Sequence, residues 1–201
     1  KKAPWVVTVA AGDKQGRLAD FSSRGESGKG GSVTIDGQSY TWEDRPTVTA
    51  PGVDIVSTRA SLGTIDKTAA DADVETLGPA LAARYTTMSG TSMATPHVAG
   101  IVALMLEANP SLGWREVKQI LKDTASNLPG NEPWEVGNGY VNAYAAVQKA
   151  LAGSPFGATV NASRTFNANA NVSTGSSANY AIDFSPVGPT GSRQFTVGDD
   201  I

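Results

Sequence analysis

An α/β fold built on a parallel sheet is what this sequence predicts, on three observations. Residues 5–10 (WVVTVA) are apolar and β-branched almost without a break, the composition of a strand buried on both faces. Residues 91–107 carry no charge before the last position and are apolar all round, as a core helix is. Strand-like runs come first and helical patterns follow, the order of a layered α/β domain.

The remaining elements follow in order. Residues 32–42 (SVTIDGQSYTW) flank Asp36-Gly37, a two-residue hairpin signal, and this hairpin is expected outside the main sheet. Residues 47–58 (TVTAPGVDIVST) form a second β-branched run interrupted at Pro51-Gly52. Residues 66–84 are Ala-rich and are expected to form a surface insertion with a little helix, broken at Gly78-Pro79. Small residues in the central helix (Ala94, Ala99, Gly100, Ala103) are expected to let neighbouring backbones approach. Trp114, Val117, Ile120 and Leu121 keep helical spacing behind Gly113 as N-cap, with Glu116 in the first turn. The run VNAYAAVQKALAG predicts a last helix, capped by Asn142 and stopped at Gly153.

Composition shifts at Gly153-Ser154-Pro155. Residues 153–201 are rich in Ser, Asn, Thr, Ala and Gly, with short β-like runs (ATVNAS, NYAIDF, RQFTV), and are expected to be a β-rich extension. Both ends read as cut, as in a piece of a longer polypeptide. With 16 basic and 19 acidic residues and no block of like charge, nothing points to nucleic acid or an anionic membrane. No apolar run reaches the roughly 20 residues of a membrane span. The absence of cysteine excludes disulfides and thiolate-bound zinc, and a single histidine argues against a His-based metal site. Asp66, Asp71 and Asp73 make a loose acidic cluster of the oxygen type calcium prefers, but EF-hand spacing is absent and a solvated acidic loop is the favoured reading over structural calcium. No cofactor is expected for catalysis. Two sequons, at Asn161 and Asn171, lie in Asn/Ser-rich sequence where they arise easily by chance.

Residues 90–100 read GTSMATPHVAG. A serine framed by small residues is common, and Ala94 departs from the G-x-S-x-G elbow. If Thr91 is the N-cap, Ser92 lies in the first turn of a helix. There backbone N–H groups and the positive end of the dipole face a developing oxyanion. Pro96 then removes the partner of the Ser92 carbonyl, and a locally irregular turn is expected. His97 is the only histidine in the chain. Five residues along an ideal helix give a rise of about 7.5 Å and a turn of about 140°. A general base must come within about 3 Å of the hydroxyl, so His97 is expected to be a packed, neutral bystander.

The string GTSMATPHVAG resembles the serine segment of the subtilisin-like serine proteases. FSSRG (residues 21–25), TAPGVDI (49–55) and NGYVNAYAAV (138–147) resemble further blocks of that family, in its order. The likeness runs over about residues 4–152, with longer segments at about 26–45 and 63–84. It implies a serine endopeptidase with Ser92 as nucleophile, and assigns His97 no catalytic role. It also implies that residues 1–152 are the C-terminal half of a three-layer catalytic domain. In this family the triad runs Asp, His, Ser along the chain, so the Asp, the His and the oxyanion Asn are expected upstream. On that reading the chain alone is catalytically incompetent, and its substrate is a polypeptide. Its partner is its own N-terminal half, or a second copy meeting it across a cut sheet edge, and its location is extracellular. The alternative is a non-catalytic module that serves only to pair with the N-terminal half.

Overall fold

Val9, Ala10, Ala11 and Gly12 form the first strand of the computed structural model, and each pairs in parallel with a residue of the segment from Val48 to Pro51. The structure describes residues 2–60, 67–128 and 130–152, and the backbone of four short strands between 164 and 195. In chain order the elements begin with β1 (Val9–Gly12), β2 (Gly30–Ile35), β3 (Gln38–Glu43), β4 (Val48–Pro51) and β5 (Ile55–Thr58). Then come α1 (Lys67–Leu77), α2 (Pro79–Ala82), β6 (Tyr85–Met88) and α3 (Thr91–Ala108). They end with α4 (Trp114–Thr124), α5 (Pro133–Val136), α6 (Ala143–Leu151), β7 (Arg164–Phe166), β8 (Asn171–Ser173), β9 (Ala181–Asp183) and β10 (Arg193–Phe195).

The apolar run at 5–10 does not mark the strand. Trp5 and Val6 are exposed, and β1 begins at Val9. Pairing with β4 selects the register, while Trp5 instead meets Trp114 edge to face, with ring centroids 6.4 Å apart. Lys118 fixes this entry segment by donating from Nζ to the carbonyls of Pro4 (3.0 Å) and Val6 (2.8 Å). The Ala11 N–H donates to Ser22 Oγ (2.9 Å), and the Ala19 N–H donates to the Ala11 carbonyl (2.9 Å). Ser22 of the FSSRG block therefore closes part of an edge that the sequence leaves open.

The hairpin is as expected: Asp36 (φ 50°) and Gly37 (φ 78°) both turn through positive φ between Ile35 and Gln38, and β2–β3 stands as its own sheet. The Ala-rich segment holds more helix than expected, and it breaks where the sequence predicts: Gly78 (φ 80°) ends the run of α1, and α2 starts afresh at Pro79. Asp73 is buried on α1 and ion-pairs with Arg59 at the end of β5, while its Oδ1 accepts the N–H of Thr87 on β6 at 2.8 Å. That carboxylate is engaged as a structural tie. Asp71 is exposed, and Asp66 lies outside the described residues.

α3 packs on β1 and β4 and against α6, which packs on α4. Its buried stripe is Ala94, Val98, Ile101 and Met105, a spacing of i, i+4, i+7, i+11. Ala94 meets the sheet, as its size allows. Ala99, Gly100 and Ala103 instead face outward with Leu104 and Leu106, so an apolar circumference does not make an evenly buried helix. Sheet and α6 cover one side, and no described residue covers the other.

α4 starts behind Gly113, and Asn142 Oδ1 accepts the Ala145 N–H (3.0 Å) at the start of α6, both as the sequence predicts. The last helix is closed by Ala152, and Gly153 lies outside the described residues. In the C-terminal part, β7 pairs with β10 and β8 with β9, both antiparallel. β9 and β10 fall in the NYAIDF and RQFTV runs. Residues 158–163 and Asn161 lie outside the described residues, and Asn171 opens β8.

Candidate active site

The carboxyl ends of β1 and β4 converge on the start of α3. The Gly52 N–H donates to the Gly12 carbonyl (2.8 Å), and the Gly52 carbonyl accepts the Gly90 N–H (2.7 Å). Just beyond, Ser89 Oγ accepts the Asp54 N–H at 2.9 Å and donates to Asp54 Oδ1 at 3.3 Å. Asp54 adopts φ 50°, a left-handed conformation that Asp tolerates better than most side chains. Two links therefore clamp the Ser89-Gly90 turn to the end of β4. Neither is visible in the sequence, because the partners are more than thirty residues apart.

Gly90, not Thr91, is the N-cap of α3. Its carbonyl accepts the N–H groups of Met93 (3.0 Å) and Ala94 (3.2 Å), and Thr91 is already the first helical residue. The glycine is extended (φ 158°, ψ 162°), and its placement is fixed by the bond to Gly52 rather than by a side-chain cap. Ser92 is exposed in the first turn. Its N–H lies among the orphan donors of the helix and, among the described residues, has no acceptor. Its Oγ likewise has no hydrogen-bond partner among the described residues. The turn thus presents a free hydroxyl beside free N–H donors at the positive end of an 18-residue helix.

His97 sits in the same helix with Nδ1 2.9 Å from the Met93 carbonyl. A carbonyl only accepts, so Nδ1 carries the proton and the ring is tied back to its own helix. Nothing joins it to Ser92. Pro96 lies inside α3 without ending it, and the irregular turn read from the sequence does not appear as a break. Side-chain bonds to the preceding turn flank the proline: Thr95 Oγ1 donates to Thr91 O (2.9 Å), and His97 donates to Met93 O.

The NGYVNAYAAV block supports the sheet end. The Thr49 N–H donates to the Gly139 carbonyl and the Val141 N–H donates to the Thr49 carbonyl, both at 2.8 Å. Tyr140 Oη donates to the Asp13 carbonyl at 2.6 Å. Its ring lies against Gly12, where an added Cβ would stand 2.5 Å from Tyr140 Cε2. Upstream, α5 carries a capping box in which the Glu132 N–H donates to Glu135 Oε2 (3.1 Å). The sequence reading missed α5, although Pro133 at its first position and Glu135 two residues on were the available signal.

Burial, with the charge of Asp13 adding to it, pushes the Tyr140 phenol up to about 12. A raised folded-state value means the neutral phenol is favoured in the native protein. Its stabilisation is complete below the ordinary tyrosine value near 10 and is lost as pH rises toward 12. Thermal midpoints measured from pH 9 to 12 should therefore fall more steeply for the native protein than for Tyr140→Phe. Parallel curves would show that the phenol contributes nothing there.

The chain is similar to known proteins. A family model described as the subtilase family matches residues 1–140. The serine protease AprX of Bacillus subtilis is 39% identical over 145 residues, which cover 69% of this chain and 28% of that protein. An extracellular protease of Xanthomonas campestris is 36% identical over 149 residues, 74% of this chain and 20% of the other. Among solved structures, a protease of Pseudoalteromonas arctica matches with a TM-score of 0.51 at 28% identity, over 74% of this chain and 37% of that one. The chain thus spans less than a third of the length of the two curated relatives. On the family match across residues 1–140 and the ordered serine segment, the chain belongs to the subtilase family.

Proposed function

We propose that Ser92 is the nucleophile of a serine endopeptidase that hydrolyses peptide bonds through an acyl-enzyme. The observation that carries this reading is the exposed Ser92 hydroxyl beside unpaired N–H donors in the first turn of α3, in a chain of the subtilase family. Ser92 Oγ attacks the scissile carbonyl and gives its proton to a general base, and the Ser92 N–H donates to the oxyanion. Collapse of that intermediate expels the amine and leaves the acyl-Ser92 ester, which water then cleaves.

The base, its orienting Asp and an oxyanion Asn are proposed to come from residues preceding Lys1 in the parent protein. Two facts support this: His97 is bonded to its own helix, and the matched segment is less than a third of each of the two curated relatives. The 201-residue chain by itself is then catalytically incompetent. That N-terminal half is proposed to pair with this chain across the cut edge of the sheet, self-association across that edge being the substitute when it is absent. Extracellular location is proposed from the relatives, one of which is described as an extracellular protease. No helix among the described residues is long and apolar enough to cross a membrane.

An active-site serine phosphonate should label the full-length protein at Ser92 and leave the 201-residue chain unlabelled. Labelling of the short chain alone would overturn the external base. Failure of the full-length protein to label at Ser92 would overturn the nucleophile. In the full-length protein, His97→Gln is expected to keep near-native kcat, whereas loss of a general base costs about 10²–10⁴-fold or more. In light scattering, a stable monomer of the isolated chain would count against pairing across the cut sheet edge.

A further inference from the structure

At the amino ends of β1 and β4, away from Ser92, a cleft of about 460 Å³ opens between the β2–β3 hairpin, the entry segment and α4. Thr8 and Thr47 lie at its floor, while the Ser92 turn lies beyond the far ends of the same strands. Four residues of strand separate the two by roughly 13 Å.

The cleft is lined by Lys2, Arg45, Arg115, Lys118 and Lys122, against the single carboxylate of Glu43. Glu43 is committed to Arg45 at 2.6 Å. The described contacts of three other cations are all neutral. Lys2 Nζ lies 5.1 Å from the centre of the Trp42 ring. Arg115 stacks on Trp114 (4.4 Å) and approaches Tyr40 (5.9 Å), donating to the Tyr40 hydroxyl (3.0 Å) and to Gln38 Oε1 (3.4 Å). Lys118 reaches only the carbonyls of Pro4 and Val6. Burial, reinforced by the neighbouring charges of Lys122 and Arg45, holds the Lys118 ammonium below the ordinary lysine range. In a chain whose overall charge is −3, this is a local surplus of positive charge gathered on a concave surface.

The shape and chemistry of the walls narrow the ligand. Lys2 lies over one face of Trp42 and Arg115 over one face of Trp114, so a nucleobase would have to compete with them for stacking there. Residues 40–43 of β3 line the cleft, and β3 pairs only with β2 among the described strands, so main-chain groups on its second edge are available to an extended segment. We propose that this cleft is an exosite for an extended acidic polypeptide segment, whose carboxylates pair with Lys2, Arg115 and Lys118 while its backbone runs beside β3. The site holds an acidic segment of a partner polypeptide, not the scissile bond, and does not depend on the role of Ser92.

Calorimetric titration of the full-length protein carrying Ser92→Ala with hexaglutamate tests this, the substitution preventing consumption of the peptide. Saturable one-site binding is expected, weakened by raising salt and absent for hexaglutamine. The double variant Lys2→Gln/Arg115→Gln leaves the Lys118 tether intact and should raise the dissociation constant by at least about tenfold, or 1.4 kcal/mol. Lys118→Gln should weaken binding as well, and unfolding curves identify any loss caused by release of the entry segment. Equal binding of hexaglutamine, or no change in the double variant, would overturn the proposal. So would inorganic phosphate competing as well per charge as the peptide, since that marks a small-anion site.

Discussion

Ser92→Ala in the full-length protein is expected to abolish peptide hydrolysis while leaving the fold unchanged. The side chain is exposed and bonds to no described residue, and the N-cap is Gly90, so no cap is lost. Alanine is a good helix former, and a surface change of this kind stays within about 0.5 kcal/mol. Catalysis is a different matter, because the proposed attacking atom disappears. In subtilisin, a member of this family, removing the nucleophile lowers kcat on the order of 10⁶-fold, and that sets the scale here. Some rate above water should survive, since the N–H donors of the turn remain. Thermal unfolding and kcat on a small ester measured on one preparation separate the two effects. Retention of more than a few per cent of activity with an unchanged melting curve would remove Ser92 from the mechanism.

Features governed by local chemistry were legible in the sequence. Asp36-Gly37 dictates its own turn, Asn142 caps the helix it precedes, and the stripe of Val117, Ile120 and Leu121 shows which face of α4 is buried. Features governed by distant partners were not. The apolar run at 5–10 looks like a strand, but β1 starts where β4 can pair with it, and Trp5 is drawn to Trp114 instead. Thr91 has the better capping side chain, yet Gly90 caps because Gly52 holds its N–H. The buried Arg59–Asp73 tie was read as part of an acidic cluster, since sequence spacing cannot show an arginine arriving from β5. At the site itself, helix geometry sufficed to part His97 from Ser92. The clamp formed by Gly52, Asp54 and Ser89 required the folded chain.

That clamp makes Gly52→Ala the second large expected effect, on stability and catalysis together. A Cβ at Gly52 would stand 2.8 Å from Ala11 Cβ, 2.8 Å from the Gly90 carbonyl oxygen and 3.2 Å from Ala94 Cβ. These are methyl groups and backbone, so no flexible side chain can swing aside. Either the end of β4 or the start of α3 must move, and overpacking of this kind costs about 1–3 kcal/mol. Gly52 also donates to Gly12 and accepts from Gly90, so displacement strains both bonds that set the height of the Ser92 turn. A misplacement of about 1 Å in a catalytic group can cost 10²-fold in rate, and a loss of that order in kcat is expected. Gly100→Ala is the control in the same helix: no described residue lies within 4 Å of its added Cβ. It should be neutral or stabilising by up to about 1 kcal/mol from helix propensity. Thermal midpoints and phosphonate labelling rates for the two variants discriminate a positional clamp from a general intolerance of larger residues. If Gly52→Ala labels and melts like Gly100→Ala, the close approach of β4 to α3 does not position Ser92.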